Sequence, residues 1–425
     1  MVSAILNLWA LFLGLSLIML GIGLQGTLIG LRATLEGFDT TVTGIVMSAY
    51  YAGFIAGSWA APRLVRQVGH IRVFAAFASL ISITSLLHAL WVEPINWFVL
   101  RFIAGLCMAS FYIIIESWLN HGSDIQTRGR ILSFYSLVSY AFIGLGQLLL
   151  NFGDPVDFTL FILISVLMSL SMVPISLSKQ VAPAIAEPRY VGLMDLFRIS
   201  PLGFLGCFST GIAQGTFFSF AAVYGTLSGF SVSQTALFVA MPLLGVIFLQ
   251  MPIGWLSDQF DRRFVLMAVT LVVGVIALGN LMVSGASFPL QIAAITVFGA
   301  AAFPLYSLSL AHMNDNLEYD QMLDASSKLV LLFGVGSMIG PLLAGVVVGQ
   351  IGPSGFFWLL GLVHLGLGAF ALFRMSQSAP VPLDDQGDFV MLAQRPTTIA
   401  TGVAMELSEA GAETVSSPDD RPSNP

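Results

Sequence analysis

Twelve apolar runs, each about the length needed to cross a bilayer, govern everything else in this chain. A hydrocarbon core of about 30 Å takes roughly 20 residues of helix. Such runs occur at about 9–31, 42–61, 73–92, 96–118, 131–151, 158–177, 202–226, 234–256, 264–283, 290–312, 328–349 and 356–373. The breaks between them are short and hold Gly, Pro, Asp or paired charges, so no soluble domain fits between spans. Only 9 % of residues are charged and 56 % are hydrophobic. A water-soluble surface needs roughly 25 % charge, so lipid must solvate most of this chain. The first run, Leu8 to Leu31, is long enough to span and has no Lys or Arg before it. It is therefore expected to stay as helix 1 and not to be cleaved as a signal.

Basic residues set the orientation. Even-numbered connections hold Arg63, Arg66 and Arg72, then Arg128 and Arg130, then Lys179, Arg189 and Arg198, then Arg262 and Arg263, then Lys328. Odd-numbered connections hold only Arg32. Even connections and both termini are thus expected in the cytoplasm. The net charge of −7 comes mostly from the region after about Ser378, where Asp384, Asp385, Asp388, Glu406, Glu409, Glu413, Asp419 and Asp420 face Arg395 and Arg421. That region is also rich in Pro, Ser and Thr, and its composition predicts disorder. The expected organisation is an N-terminal six-helix bundle (1–178), a cytoplasmic linker (179–200), a C-terminal six-helix bundle (201–377) and a disordered acidic tail (378–425).

The halves repeat. Gln25-Gly26-Thr27 in helix 1 returns as Gln214-Gly215-Thr216 in helix 7, 189 positions later. The basic loop from Pro62 returns from Gly254, 192 positions later. Gly105 and Tyr112 in helix 4 match Gly299 and Tyr306 in helix 10 at an offset of 194, and Gly144 matches Gly340 at 196. Four matches in order, at equivalent spans, predict two six-helix halves in the same orientation, with a substrate cleft between them.

These residues resemble the major facilitator superfamily. Its loop signature G-x-L-a-D-R-x-G-R-R is similar to Gly254-Trp255-Leu256-Ser257-Asp258-Gln259-Phe260-Asp261-Arg262-Arg263, with Asp261 in place of Gly. The first copy departs further: Pro62 replaces the leading Gly, and Arg66 stands where the acidic residue belongs. Arg101-Phe102-Ile103-Ala104-Gly105 resembles the helix 4 signature R-x-x-x-G, and Gly336, Gly340, Pro341 and Gly345 resemble that of helix 11. Helix 5 has Gly144-Leu145 where many drug antiporters have Gly-Pro. The stretch RFIAGLCMASFYIIIESWLN is similar to YcaD-like bacterial transporters. The resemblance implies an all-α fold of twelve transmembrane helices, a bacterial inner-membrane location and alternating access, with helices 1, 4, 7 and 10 lining a midplane site and helices 2, 5, 8 and 11 at the interface.

Each polar group inside a span asks for a role. Arg101 either binds an anion in the cleft or bonds carbonyls of neighbouring helices. Gln25 and Gln214, beside glycines, either contact solute from both sides or join helices. Tyr112 and Tyr306 form a second symmetric pair with the same two readings. Tyr50, Tyr51, Gln147 and Gln250 are weaker candidates. Glu116 is expected near the cytoplasmic end of helix 4, close to Arg128, Arg130 and the Arg66 loop, either in a charge network that holds one access state or as a proton carrier. The resemblance makes Asp258, with Arg262 and Arg263, a conformational latch against the start of helix 11, where Ser326 and Ser327 would cap. Arg32 is expected at the interface in a structural role. His88, His312 and His364 are isolated. Cys107 and Cys207 lie in apolar runs outside any metal-binding spacing and read as packing residues.

No phosphate-binding GxxxxGK[ST] motif, nucleophile–base set or metal constellation occurs. An enzyme, a cofactor and a nucleic-acid partner are not expected, and a monomer is. The substrate expected from Arg101, with no carboxylate deep in a span, is a small neutral or anionic organic solute. Proton coupling, if present, would run through Glu116 and Arg101. An efflux pump for hydrophobic compounds and a non-transporting receptor of the same fold are the alternatives.

Overall fold

The computed structural model describes residues 8–121, 125–177, 192–377, 379–393 and 397–416. They form helices joined by short turns, with no strand among them. The long helices are α1 (Trp9–Leu35), α2 (Thr40–Val68), α3 (His70–Leu90), α4 (Pro94–His121), α5 (Ile125–Leu148), α6 (Thr159–Ser176), α7 (Pro201–Leu227), α8 (Val232–Gln259), α9 (Arg262–Val283), the broken α10 (Phe288–Ala302 and Leu305–Asn314), α11 (Tyr319–Ile351) and α12 (Gly355–Met375). Every expected span is a helix. Ten are long and apolar enough to cross a membrane, or 11 if α7 is joined to the short helix Leu193–Ile199, which meets it at 117°. The expected linker at 179–200 lies mostly outside the described residues, and this short helix is its end.

The halves share one pattern of neighbours. In the first, α1 packs on α5 and α6, α2 on α4, and α3 on α4 and α6. In the second, α7 packs on α11 and α12, α8 on α10, and α9 on α10 and α12. Small residues make these crossings close. A Cβ on Gly105 would strike the Tyr50 carbonyl of α2, and one on the matching Gly299 would strike Pro242 of α8. Without a hydrophobic drive between helices in lipid, such close approach is what van der Waals packing needs. One proposed match fails. Gly144 faces Leu244 of α8 in the other half, whereas Gly340 faces Ile212 of α7 in its own half. Gly146, two residues on, has the within-half role, against Leu20.

A clearer duplication lies in the turns. Thr34-Leu35-Glu36-Gly37-Phe38-Asp39 returns 192 positions later as Thr226-Leu227-Ser228-Gly229-Phe230-Ser231. Gly37 (φ 74°) and Gly229 (φ 80°) occupy the left-handed region. In both turns the Phe amide donates to the carbonyl five residues back, Ala33 at 3.0 Å and Gly225 at 2.9 Å. This is the Schellman ending that a glycine permits. Asp39 and Ser231 then cap α2 and α8.

The halves meet along α2–α11, α5–α8 and α1–α7. Arg32 ties α1 to the loop before α6, bonding Glu36 at 2.6 Å and the Pro155 carbonyl at 3.0 Å. We call the face where α1 begins and α12 ends the terminal face, and the other the far face. Toward the far face the α2–α11 seam is tight: Thr40 donates to the Gly345 carbonyl at 2.9 Å, and a Cβ on Gly44 would lie 3.3 Å from the Gly345 Cα. The helix 11 glycines thus divide their work, Gly336 and Gly340 against α7 and Gly345 against α2.

At the terminal face the gap between the halves is filled by the chain's own tail. The expectation of disorder after 378 fails for residues 379–393 and 397–416. Residues 387–393 run beside a final helix, α13 (Thr398–Ser416), and the Asp388 amide donates to the Ser408 carbonyl at 3.1 Å. Leu392, Ala400, Val403, Ala404 and Met405 are buried. Average composition concealed two short apolar stretches, Phe389–Ala393 and Ile399–Met405, that can enter an apolar groove.

Candidate functional site

A cavity lies where the halves meet, in the part of the helices nearer the far face. Polar groups on it come from α1 (Gln25, Thr27), α2 (Tyr50, Tyr51), α4 (Arg101), α5 (Gln147) and α7 (Ser219), and Phe218 of α7 and Val239 of α8 complete its second-half wall. Arg101 is 5 % exposed, and its guanidinium carbon sits 4.5 Å from the centre of the Tyr50 ring. That cation–π contact keeps the charge inside the bundle. Gln25 Nε2 donates to Ser85 Oγ at 3.3 Å, and Thr27 donates to Gln147 Oε1. The cavity therefore combines one cation, several amides and hydroxyls, and no carboxylate.

The other site residues read from sequence fall elsewhere. Gln214 does not line the cavity. Its Nε2 reaches the Phe303 carbonyl at 3.5 Å, where Pro304 interrupts α10. A proline breaks the helical ladder and leaves backbone groups to be satisfied, so Gln214 joins helices. Tyr112 packs edge-on to Phe54 and its hydroxyl lies 3.6 Å from Met19 Sδ. Tyr306 packs edge-on to Phe333, its hydroxyl toward Thr401 of α13. The symmetric pairs of the sequence are thus not symmetric in use. α10 contributes nothing to the cavity lining, whereas α2, α5 and α8 do. Gln250 bonds the Leu392 carbonyl of the tail at 3.3 Å. Tyr50, Tyr51 and Gln147, ranked below the symmetric pairs, are the residues that join Gln25 and Arg101. Their signal in the sequence was only a polar group within a span.

The latch residues converge on the tail. Glu116 is buried and accepts bonds from Tyr135 (2.7 Å), the Thr397 hydroxyl and the Ala400 amide (3.2 Å). Hydroxyls and an amide hold it, not the expected Arg128 and Arg130. Arg128 faces Glu406 of α13 at 3.7 Å, and Arg130 is exposed. Asp258 bonds Arg262 (3.0 Å) and the Phe389 amide (3.0 Å). The helix whose start was its expected partner, α11, begins at Tyr319 with a Glu318–Gln321 capping box, so Ser326 and Ser327 lie inside it and do not cap it. Ser326 donates instead to the Thr398 carbonyl at 3.4 Å.

Arg262 is the hub. Only 1 % exposed, it bonds Ser257 (2.9 Å), Asp315 (2.6 Å), Asp258 (3.0 Å) and the Gly387 carbonyl (2.6 Å). Burial pushes Asp315 up to about 6, although Arg262 and the Gly387 amide act to lower it. Asp261, which departs from the loop signature, caps α9 through the Arg263 amide at 3.0 Å. Burial would raise its carboxyl, but the bonds from Arg263 outweigh that and hold it below the ordinary range. Arg263 also donates to the Ala379 carbonyl at 3.1 Å.

A model of the Major Facilitator Superfamily matches residues 11–322 and 203–405. An MFS-type transporter of Yersinia enterocolitica is 25 % identical over 324 residues, covering 76 % of this chain and 84 % of the relative. The MFS-type transporter YcaD of Escherichia fergusonii is 24 % identical over 322 residues, covering 75 % and 83 %. Among solved structures, the nucleoside transporter NupG superposes with a TM-score of 0.67 at 15 % identity, covering 85 % of this chain and 96 % of that one. A bacterial homolog of the human lysosomal transporter Spinster, in an inward-facing and unoccupied conformation, gives 0.64 at 13 %, covering 95 % and 98 %. These structural likenesses concern the fold.

Proposed function

Because this chain belongs to the Major Facilitator Superfamily and is a membrane transporter, we propose that it carries a small anionic or neutral organic solute by alternating access, with Arg101 as the group that selects it. The observation behind this is the cavity between the halves, which holds one buried cation, hydrogen-bonding partners and no acidic side chain. A cationic solute would meet Arg101 in a cavity lined by no acidic side chain, at a cost of several kcal/mol in a low-dielectric setting. An anion would gain charge-assisted bonds.

The two halves would rock about this site, opening it first at one face and then at the other. The terminal face is read as cytoplasmic, because Arg63, Arg66, Arg72, Arg128, Arg130, Arg262, Arg263 and Arg374 gather there. The membrane would then be the bacterial inner membrane.

Purified protein in proteoliposomes, offered radiolabelled small carboxylates and neutral polyols one at a time, tests the reading. A carried anion should lose roughly 10- to 100-fold in apparent affinity on Arg101→Ala, since a hydrogen bond to a charged group is worth about 1.5–3 kcal/mol. Arg101→Lys should recover part of that, the planar stack on Tyr50 being lost. Flux that is the same in all three proteins would remove Arg101 from the site.

A further inference from the structure

Several unrelated residues of the transporter body end on one object, the tail at the terminal face. Three carboxylates, Glu116 of α4, Asp258 of α8 and Asp315 after α10, each accept a tail backbone amide: Ala400 (3.2 Å), Phe389 (3.0 Å) and Gly387 (3.2 Å). The contacts belong to both halves. In the first half, Ser136 donates to the Met391 carbonyl at 3.4 Å beside the Glu116 bonds. In the second, Asn314 donates to the Met405 carbonyl at 3.3 Å, and Leu392 receives a bond from Gln250 and gives one to Ser307 at 3.2 Å. Even the leading glycine of the loop signature is involved, because a Cβ on Gly254 would lie 2.7 Å from Phe389 Cε1. Apolar burial and bonds to both halves describe a seated element, not a loose end.

We infer that the tail residues 387–393 and 397–408 form an intrinsic plug, which holds the halves apart at the terminal face and keeps the far face closed until it withdraws. The inference rests on the rocking of the halves set out above. To close the terminal face, α4 and α5 must approach α10 and α11, and the plug occupies that space. The tight α2–α11 seam is the complementary half of the same state. A seated tail therefore shifts the equilibrium toward one conformation by the free energy of its seating. It acts as an internal inhibitor of the cycle.

The test needs no solute. In a Cys107→Ser, Cys207→Ser background, a membrane-impermeant maleimide probes two single cysteines. Met405→Cys, at a position 1 % exposed, reports the seating of the tail in inside-out vesicles, which present the terminal face to the reagent. Ser219→Cys, on the cavity, reports opening of the far face in right-side-out vesicles. Two tail substitutions release the plug by different routes. Ala400→Glu sets a second carboxylate beside Glu116. Gly387→Val drives side-chain atoms into the Ser408 carbonyl, which lies 2.8 Å from where even a Cβ would stand.

In the parent both cysteines should resist labelling. In either variant, Met405→Cys should become reactive and Ser219→Cys should label several-fold faster from the far face. Rapid labelling of Met405→Cys in the parent would overturn the plug, as would protection that survives both substitutions. Release of the tail with Ser219→Cys unchanged would overturn its hold on the cycle. Failure of every solute in the proteoliposome assay would instead strike the carrier reading and leave these labelling results standing.

Discussion

Removing Arg262 should be among the most damaging single changes this protein can suffer. Its guanidinium makes bonds to Ser257, Asp315, Asp258 and Gly387 while only 1 % of it is exposed. Arg262→Met keeps much of the aliphatic volume but leaves the Asp315 carboxylate, with a side chain also 1 % exposed, in a dry pocket with no cation on it. Breaking one member of a buried pair costs about 3–5 kcal/mol, mostly as the penalty of the stranded charge. Asp258 is 31 % exposed and can recover water, so its bond adds little to that figure.

The double variant Arg262→Met, Asp315→Asn removes the stranded charge as well and should recover more than half of the loss. The coupling between the two positions should then exceed about 1 kcal/mol. Unfolding in mixed micelles by titration with a denaturing detergent, followed by tryptophan fluorescence, measures all four corners of the cycle. A cost below about 1 kcal/mol for Arg262→Met, or losses that simply add in the double variant, would refute the view of this corner as a buried, mutually dependent pair.

Acidity should act on the same corner. Burial raises the Asp315 carboxyl to about 6, so the folded protein binds that proton more tightly than the unfolded chain does. Wild-type stability should therefore rise relative to Asp315→Asn as the pH falls from about 6 toward 4, and should not vary above 7; a stability difference flat across the whole range would contradict this. At the far face, Gly44→Ala should strain the α2–α11 seam by about 1–3 kcal/mol, and a cysteine at Ser219 should then label faster from that side; an unchanged labelling rate would show that the seam does not hold the face shut. At the terminal face, Gly254→Ala should displace the Phe389 ring and raise protease cleavage of the tail, and unaltered cleavage would show that the groove tolerates the added methyl.

Much of this architecture can be read from a one-dimensional pattern, because the bilayer allows so few solutions. A span must satisfy its own backbone bonds, so an apolar run of about 20 residues in lipid is a helix. The duplication followed from motif offsets, and its pairing of helices is repeated in the structure. Polar residues within spans marked Gln25, Arg101 and Glu116 as places where something must happen, and each has bonding or ring partners inside the protein. Family resemblance rested on the same few positions.

Which partners those residues meet was decided in three dimensions. A repeated sequence implies equivalent positions but not equivalent surroundings. The break at Pro304 in α10 draws Gln214 away from the cavity that its counterpart Gln25 lines, since an exposed carbonyl in a bundle must find a donor. The tail is the clearest case. Its acidic average predicts solvation, yet two short apolar stretches find a groove between the halves that exists only once both have folded. Hydrophobic burial depends on the shape and chemistry of the receiving surface as much as on the segment that enters it. No property of the tail sequence read alone reveals that Glu116, Asp258 and Asp315, scattered across the chain, are waiting to accept the amides of Ala400, Phe389 and Gly387.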